Sequence, residues 1–265
     1  MLRGLYTAAS GMITETYRTD TISNNLANID TTGYKKDTLV NEEFAPILLR
    51  RINDSAGGSD VTSFKGFSTG AQAPVVGRLG RGSLVSEVAT SMAQGSVRKT
   101  DNPLDLAISG PGYFVINTAQ GQRYTRNGTF TRSARGQMID GDGHAVLDVN
   151  NRPITLPENT AVRISEDGRI FSGQDEIAQL RLVNFTDRRA LEKEGSSLYR
   201  IRTNAQPQPA TGASVMQGAL EASNVNSVSE MVALITNYRT YEADSKALMS
   251  QDAILEKAVT EVGKV

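Results

Sequence analysis

The sequence has no cysteine, no tryptophan and a single histidine, His144. Without cysteine there is no disulfide framework, no thiolate metal site and no cysteine nucleophile, and the chain is indifferent to the redox state of its compartment. A histidine metal cluster is impossible, and a serine triad would have to use His144, which follows a turn. Hydrophobic residues are 38% and aromatics 6% of the 265 residues, beside 24 glycines. That suffices for one core but is lean for a compact enzyme of this length, so the rest is expected in extended, turn-rich or partner-dependent segments. No charge of one sign dominates, with 28 basic and 29 acidic residues, and no global field draws the chain to nucleic acid or to an anionic membrane. No run approaches the ~20 apolar residues of a membrane span. Thr7, Ser10, Thr14 and Glu15 interrupt every apolar stretch near the start, which is therefore not read as a cleavable secretory signal. The expectation is no nucleic-acid partner, no membrane insertion and no cofactor.

What is present changes character twice. Met1, Leu5, Ala8, Met12, Ile22, Leu26 and Ile29 follow an alternating four-three spacing broken only at Glu15 and Thr19, the seam of a long amphipathic helix. Asp30-Thr-Thr-Gly33 supplies its stop, with Gly33 suited to the left-handed position past a helix end. At the other end Ser227-Val-Ser-Glu230 reads as a capping box. Met231, Leu234, Tyr238, Tyr241, Leu248, Leu255, Val259 and Val262 then keep the same spacing, with breaks at Ser245 and Asp252. Such seams, sustained over several heptads, predict a coiled-coil-like pairing.

Between the ends the period switches to two. Leu104, Leu106 and Ile108 alternate with Asp105 and Ala107, and Leu180 and Leu182 with Gln179 and Arg181. Asn127-Gly128, Asp140-Gly141, Asp142-Gly143 and Asp167-Gly168 mark turns between strand-like runs, the last of them inside a hairpin. The fold class is therefore α+β, with long N- and C-terminal helices pairing in a coiled-coil-like domain (1–35 and 222–265). A connector (36–75), with its likeliest loop at Asp54–Asp60, precedes a mostly antiparallel all-β middle domain (76–220). Residues 203–214 read as a linker into the last helix.

The first helix is poorly equipped to stand alone. Ser10-Gly11 falls mid-helix, and Thr14, Thr16, Thr19 and Thr21 are weak helix formers. A two-helix pair leaves much of both seams in water, and the ordering entropy of ~1–2 kcal/mol per residue weighs against it. Both ends are expected to be mobile in a dilute monomer and to fold on polymerisation.

Three segments carry a resemblance. Asn24-Asn-Leu-Ala-Asn-Ile-Asp-Thr-Thr-Gly-Tyr-Lys-Lys36 resembles the N-terminal signature of bacterial flagellar rod and hook proteins. Leu104-Asp-Leu-Ala-Ile-Ser-Gly-Pro-Gly-Tyr-Phe114, with Tyr124-Thr-Arg-Asn-Gly-Thr-Phe130, is similar to their central β-domain motif. Gly218-Ala-Leu-Glu-Ala-Ser-Asn-Val-Asn226, continued by Tyr238-Arg-Thr-Tyr-Glu-Ala-Asp-Ser-Lys246, resembles their C-terminal signature. Pro111 inside the Gly-x-Gly motif and Asp244 in place of a common asparagine depart from the pattern. The resemblance implies a structural, non-enzymatic rod subunit, exported through the flagellar type III apparatus, that joins copies of itself and other rod and hook subunits in an open helix. Peptidoglycan and ring proteins are its further implied neighbours. The implied subunit-interface residues are Leu5, Met12, Ile22, Asn25, Leu26, Asn28, Ile29, Asn224, Asn226, Met231, Leu234, Tyr238, Tyr241, Leu248, Leu255 and Val259. The asparagines are expected to cap helix ends and to bridge subunits, with similar weight.

Other signals point to chemistry only weakly. Asp140-Gly-Asp-Gly143 resembles a fragment of a calcium loop, but a strand context and the missing distal ligands favour two turns. Gly77-Arg-Leu-Gly-Arg-Gly82 lacks the strand-turn-helix context of a phosphate loop and reads as a basic loop. Two alternatives to a rod remain: an adhesive or carbohydrate- or peptidoglycan-binding β module on a helical stalk, and a hydrolase using paired carboxylates such as Asp140 and Asp142.

Overall fold

A computed structural model describes residues 2–44, 47–50, 63–64, 67–68, 75–158, 161–195, 197–202 and 205–262. The expected loop at Asp54–Asp60 lies outside them. The fold is α+β: two long terminal helices, in contact with each other, flank a mostly antiparallel β middle. By contacts the chain divides into two compact units. One holds Met1–Ile22, Leu39–Val88 and Val232–Val265, and the other Ser23–Thr38 and Ala89–Met231.

In the first unit the two helices, α1 (Leu2–Ala27) and α2 (Ser227–Val262), run antiparallel. Asn237 of α2 donates to the Glu15 carbonyl (2.7 Å) and to Thr19 Oγ1 (2.6 Å) of α1. The Asp244 carboxylate lies over Gly11, and Gln251 over Gly4, so close that a Cβ on Gly11 would sit 2.7 Å from Asp244 Oδ2. The weak helix formers are accommodated by local bonding. Thr14, Thr16, Thr19 and Thr21 each donate to the carbonyl four residues earlier. Strands Ile47–Arg50 and Val75–Leu79 pair antiparallel. Gly82, with φ of 126°, leaves its missing Cβ position to Ser10 Oγ, and Ser83 Oγ lies 3.0 Å from Thr14 Oγ1.

The second unit is built on one well-buried strand, Tyr113–Thr118. It pairs antiparallel with Gly121–Thr125, Ala145–Val146 and Leu182–Asn184, at the centre of a nine-stranded sheet. Alternation along it supplies two cores. Phe114 and Ile116 join Leu106, Ile108, Phe130, Met138, Ile154 and Ile170, while Tyr113 and Val115 join Tyr124, Phe185 and Tyr199. The second core is held by edge-to-face rings, Tyr113 at 5.9 Å from Phe185 and 5.8 Å from Tyr199.

Val162–Ile164 and Arg169–Ser172 form the hairpin expected around Asp167-Gly168, extended by Asp175–Gln179 into a three-stranded meander. Asn127-Gly128 is not a hairpin turn. Gly128 is required because its missing Cβ would sit 1.6 Å from the Leu106 carbonyl oxygen, where the two backbones bond to each other. Within the expected linker, Gln208–Pro209 pairs with Leu182–Asn184, and Ser214–Gln217, which starts at its last residue, pairs with Leu106–Ser109. Ala219–Glu221 pairs with Val97–Lys99.

Candidate functional site

Within the second unit the last turns of α1 and the first turn of α2 meet the β strands in a polar junction. It begins at Gly33, whose φ of +68° ends α1 in the left-handed conformation expected from the sequence. Nothing larger fits there: a Cβ would lie 2.5 Å from the Arg126–Asn127 backbone. The Gly33 amide donates to the Glu221 carbonyl at 2.8 Å. The turn sets Tyr34, Lys35 and Lys36 in a row, each with a different partner.

Lys35 reaches the Glu221 carboxylate and donates to the Ala93 carbonyl at 2.8 Å. Glu221 also accepts from Arg126 Nη1 at 3.1 Å and from the Gly95 amide at 2.9 Å. Arg126 also donates from Nη1 to the Ile108 carbonyl and from Nη2 to the Gly110 carbonyl. All three charged residues are buried, so a carboxylate between two cations is satisfied on every side away from water, the condition under which a buried ion pair holds. Lys36 binds Glu230 on the first turn of α2, and its amide donates to Asn224 Oδ1 at 2.7 Å. Asn224 in turn donates to the carbonyls of Ser91 and Ala93.

Asn25 bonds the Asp37 backbone in both directions, accepting from its amide at 2.9 Å and donating to its carbonyl at 2.8 Å. The Tyr34 hydroxyl donates to Asn24 Oδ1 at 2.7 Å. Burial, with Asp37 and Glu230 nearby, pushes its pKa up to about 12. Lys193 stands 4.1 Å from the centroid of the Tyr34 ring and donates to Asp37 Oδ2 at 2.8 Å. Burial lowers its pKa, partly offset by Asp37. Thr32 Oγ1 donates to Asn127 Oδ1 at 2.6 Å. The three segments singled out in the sequence, 24–36, 104–130 and 218–226, thus converge on one network.

The chain is similar to curated proteins along its whole length. It is 34% identical over 267 residues to "Flagellar basal-body rod protein FlgF" of Caulobacter vibrioides, covering 100% of both chains. It is 33% identical over 272 residues to "Flagellar basal-body rod protein FlgG" of Bacillus subtilis, covering 98% of each. The chain belongs to the flagellar basal-body rod protein family. Three family models of these flagellar proteins match in chain order: "Flagella basal body rod protein" over residues 5–35, "Flagellar hook protein FlgE/F/G D1 domain" over 107–172, and "Flagellar basal body rod FlgEFG protein C-terminal" over 216–261. Another relative, at 30% identity over 283 residues and covering 100% of both chains, is "Flagellar hook-basal body complex protein FlhO" of Bacillus subtilis.

In this rod-family chain the residues expected at interfaces fall into three groups. Ile22 and Asn25 are buried. Leu5, Met12, Leu26, Asn28, Ile29, Asn224, Leu234, Leu248 and Leu255 are half-buried. Asn226, Met231, Tyr238, Tyr241 and Val259 are exposed. The junction collects Asn25 and Asn224, and Asn28 bonds the Asn24 carbonyl beside it. Sequence reasoning missed Lys35, Arg126, Lys193, Glu221 and Glu230 as members of the network. The signal was available, since four of the five are charges embedded in or next to the segments that carry the resemblance. The expected capping box at Ser227 is not formed. Asn226 caps α2 instead, accepting from the Ser229 amide at 3.1 Å, which leaves Glu230 free to bind Lys36 and Asn25.

The weaker chemical signals resolve into structure. Asp140 Oδ1 accepts from the amides of Asp142 and His144, and Oδ2 faces His144 Nδ1 at 3.1 Å, so this carboxylate shapes its own turn. The expected basic loop at 77–82 is a strand in its first half, since residues 77–79 end the strand Val75–Leu79, and beyond it Arg81 lies over the Phe44 ring at 5.5 Å. Among the described residues no helix is long and apolar enough to cross a membrane.

Proposed function

We propose that this chain is a structural, non-enzymatic subunit of the flagellar basal-body rod, polymerising through its terminal helices with itself and with other rod and hook subunits, and carrying torque from motor to hook. The observation that carries this reading is the outward apolar face of both helices. Tyr6 (68%), Ile13 (59%) and Tyr17 on α1, and Ile235, Tyr238 (58%) and Val259 (72%) on α2, are exposed to water. Six large apolar side chains at helical spacing are a poor surface for a chain meant to stay alone, and each full burial is worth ~1.5–3 kcal/mol. Further support comes from the junction, where a helix end and a helix start are fastened by charge-assisted bonds into the β-rich unit, so that force on the helices passes to the strands. The same reading has the chain exported through the flagellar type III apparatus with both ends mobile, ordering fully only among other copies, beside peptidoglycan and ring proteins.

The test is a double substitution, Ile13→Glu with Tyr238→Glu, introduced in place of the native gene copy. The expected outcome is a folded protein with native circular dichroism, basal bodies with truncated rods, and no motility. Full-length rods from that variant would overturn the reading.

A further inference from the structure

The seam of α1 is interrupted at two places, Glu15 and Thr19, and the pairing of the helices shows what stands opposite them. Asn237 of α2, itself buried, donates to the Glu15 carbonyl and to Thr19 Oγ1. Glu15 is buried and its carboxylate is held by Arg18 at 3.1 Å. Among the described residues of the first unit, the two breaks on one helix and an amide on the other form the one layer in which side chains of both helices hydrogen-bond to each other. The next two polar residues of the α2 column, Asp244 and Gln251, face glycines. We propose that the Glu15/Thr19/Asn237 layer is the register key of the terminal helix pair, selecting one antiparallel alignment out of several that the apolar residues alone would accept.

The argument rests on periodicity. On α2 the half-buried positions Leu234, Leu248 and Leu255, with Tyr241, recur every seven residues. Sliding α2 along α1 by one heptad therefore exchanges one large apolar residue for another and carries little penalty. Thr19 breaks that symmetry. The positions seven residues before and after it are Met12 and Leu26, so a slip in either direction brings the buried Asn237 amide against an apolar side chain. A buried amide without a partner is penalised, whereas a matched one is neutral, and a single polar residue in a coiled-coil seam fixes register in this way at some expense of stability. The expense is visible: Asn237 Oδ1 has no hydrogen-bond partner among the described residues. Asp244 over Gly11 and Gln251 over Gly4 continue the same α2 column in steps of seven. They sharpen the alignment without defining it, because Gly4 and Gly11 are themselves seven apart.

The key deepens the assembly reading, since register decides which apolar side chains face outward. It is tested separately, on the isolated full-length chain, where the terminal helices pair transiently before assembly. The ratio of two crosslinking reporters then reads register, and their absolute rate reads how far the ends are ordered. No cysteine is present, so introduced pairs report cleanly. Gly4→Cys with Gln251→Cys reads the native alignment. Gly4→Cys with Ala258→Cys reads an alignment slipped by one heptad. Each is oxidised mildly at high dilution, and intramolecular crosslinking is scored by mass and gel mobility. With the layer intact, the native reporter crosslinks at least about tenfold faster than the slipped one. With Thr19→Leu and Asn237→Leu added, the preference falls to about twofold or less while helix content is kept and thermal stability rises. Asn237→Ala alone, which adds no bulk, also reduces the preference. Equal crosslinking by the two reporters in the native background overturns the key, and so does an undiminished preference in the leucine background. Loss of motility with an undiminished preference would count against the key and not against the assembly reading.

Discussion

Glu221 is the residue on which the junction turns. It is buried between Lys35 and Arg126 and accepts an additional bond from the Gly95 amide. Replacing it with alanine leaves two cations in a site closed to water, so Glu221→Ala is expected to destabilise the second unit by ~3–5 kcal/mol. The measurement is the urea midpoint of the purified protein at constant slope. A charge-neutral Glu221→Gln retains the shape and is expected to fall between the two. Tyr34 offers a test in pH. The folded chain keeps its phenol proton to about pH 12 whereas the unfolded chain releases it near the ordinary value of 10.0. Between those values the folded state binds more protons, so stability is complete below pH 10 and falls as pH rises toward 12. Tyr199, whose pKa is also raised by burial, contributes with the same sign. Lys193, lowered by burial, has the opposite sign, and its effect is complete near pH 10.5, the usual lysine value. Tyr34→Phe is expected to flatten the decline between pH 10 and 12 in a series of urea midpoints.

At the scale of elements, α2 depends on a cap that the capping-box reading placed one residue too late. Asn226 Oδ1 accepts from the Ser229 amide and its carbonyl from the Glu230 amide, so Asn226 stands just before the helix. Asn226→Ala is expected to lower stability by ~1 kcal/mol, read from thermal unfolding followed by circular dichroism, whereas Ser227→Ala is expected to change little. Much of the architecture was legible: both helices, the left-handed stop at Gly33 and the Asp167-Gly168 hairpin each follow from local pattern. The choice of cap was legible only as two options, Asn226 among the asparagines expected at helix ends and Ser227 in a capping box, and in the fold Asn226 caps while Glu230 binds Lys36. The role of Gly128 was hidden, since an Asn-Gly pair signals a turn while the true constraint is the Leu106 backbone, distant in sequence. The helix pairing was legible in period but not in phase. Leu234, Leu248 and Leu255 are half-buried as their spacing suggests, yet the polar residues Glu230 and Asn237 are the buried ones on α2. A hydrophobicity pattern has no means of announcing a buried amide.

For the whole molecule, order is expected to be uneven. Strand Tyr113–Thr118 is flanked on both sides in its sheet and supplies both cores, so its amides should be the slowest to exchange with deuterium. The outer turns of α1 and α2 carry large apolar groups in water and should exchange early in the isolated chain, then become protected when the protein is incorporated into rods. Mass spectrometry of peptides 1–20 and 240–262 before and after assembly checks this. Equal, strong protection in the isolated chain would contradict it.

The pairing of Lys35 with Glu221 has a consequence in time. The two are 186 positions apart, so a ribosome working at ~5–20 residues per second needs about 10–40 s to deliver the anion after the cation. Throughout that interval Glu221 is not yet made, and the glycine turn beside Lys35 waits for the carbonyl it donates to. The clasp is completed only as the last fifth of the polypeptide emerges, after nearly all of the strands it fastens have been made.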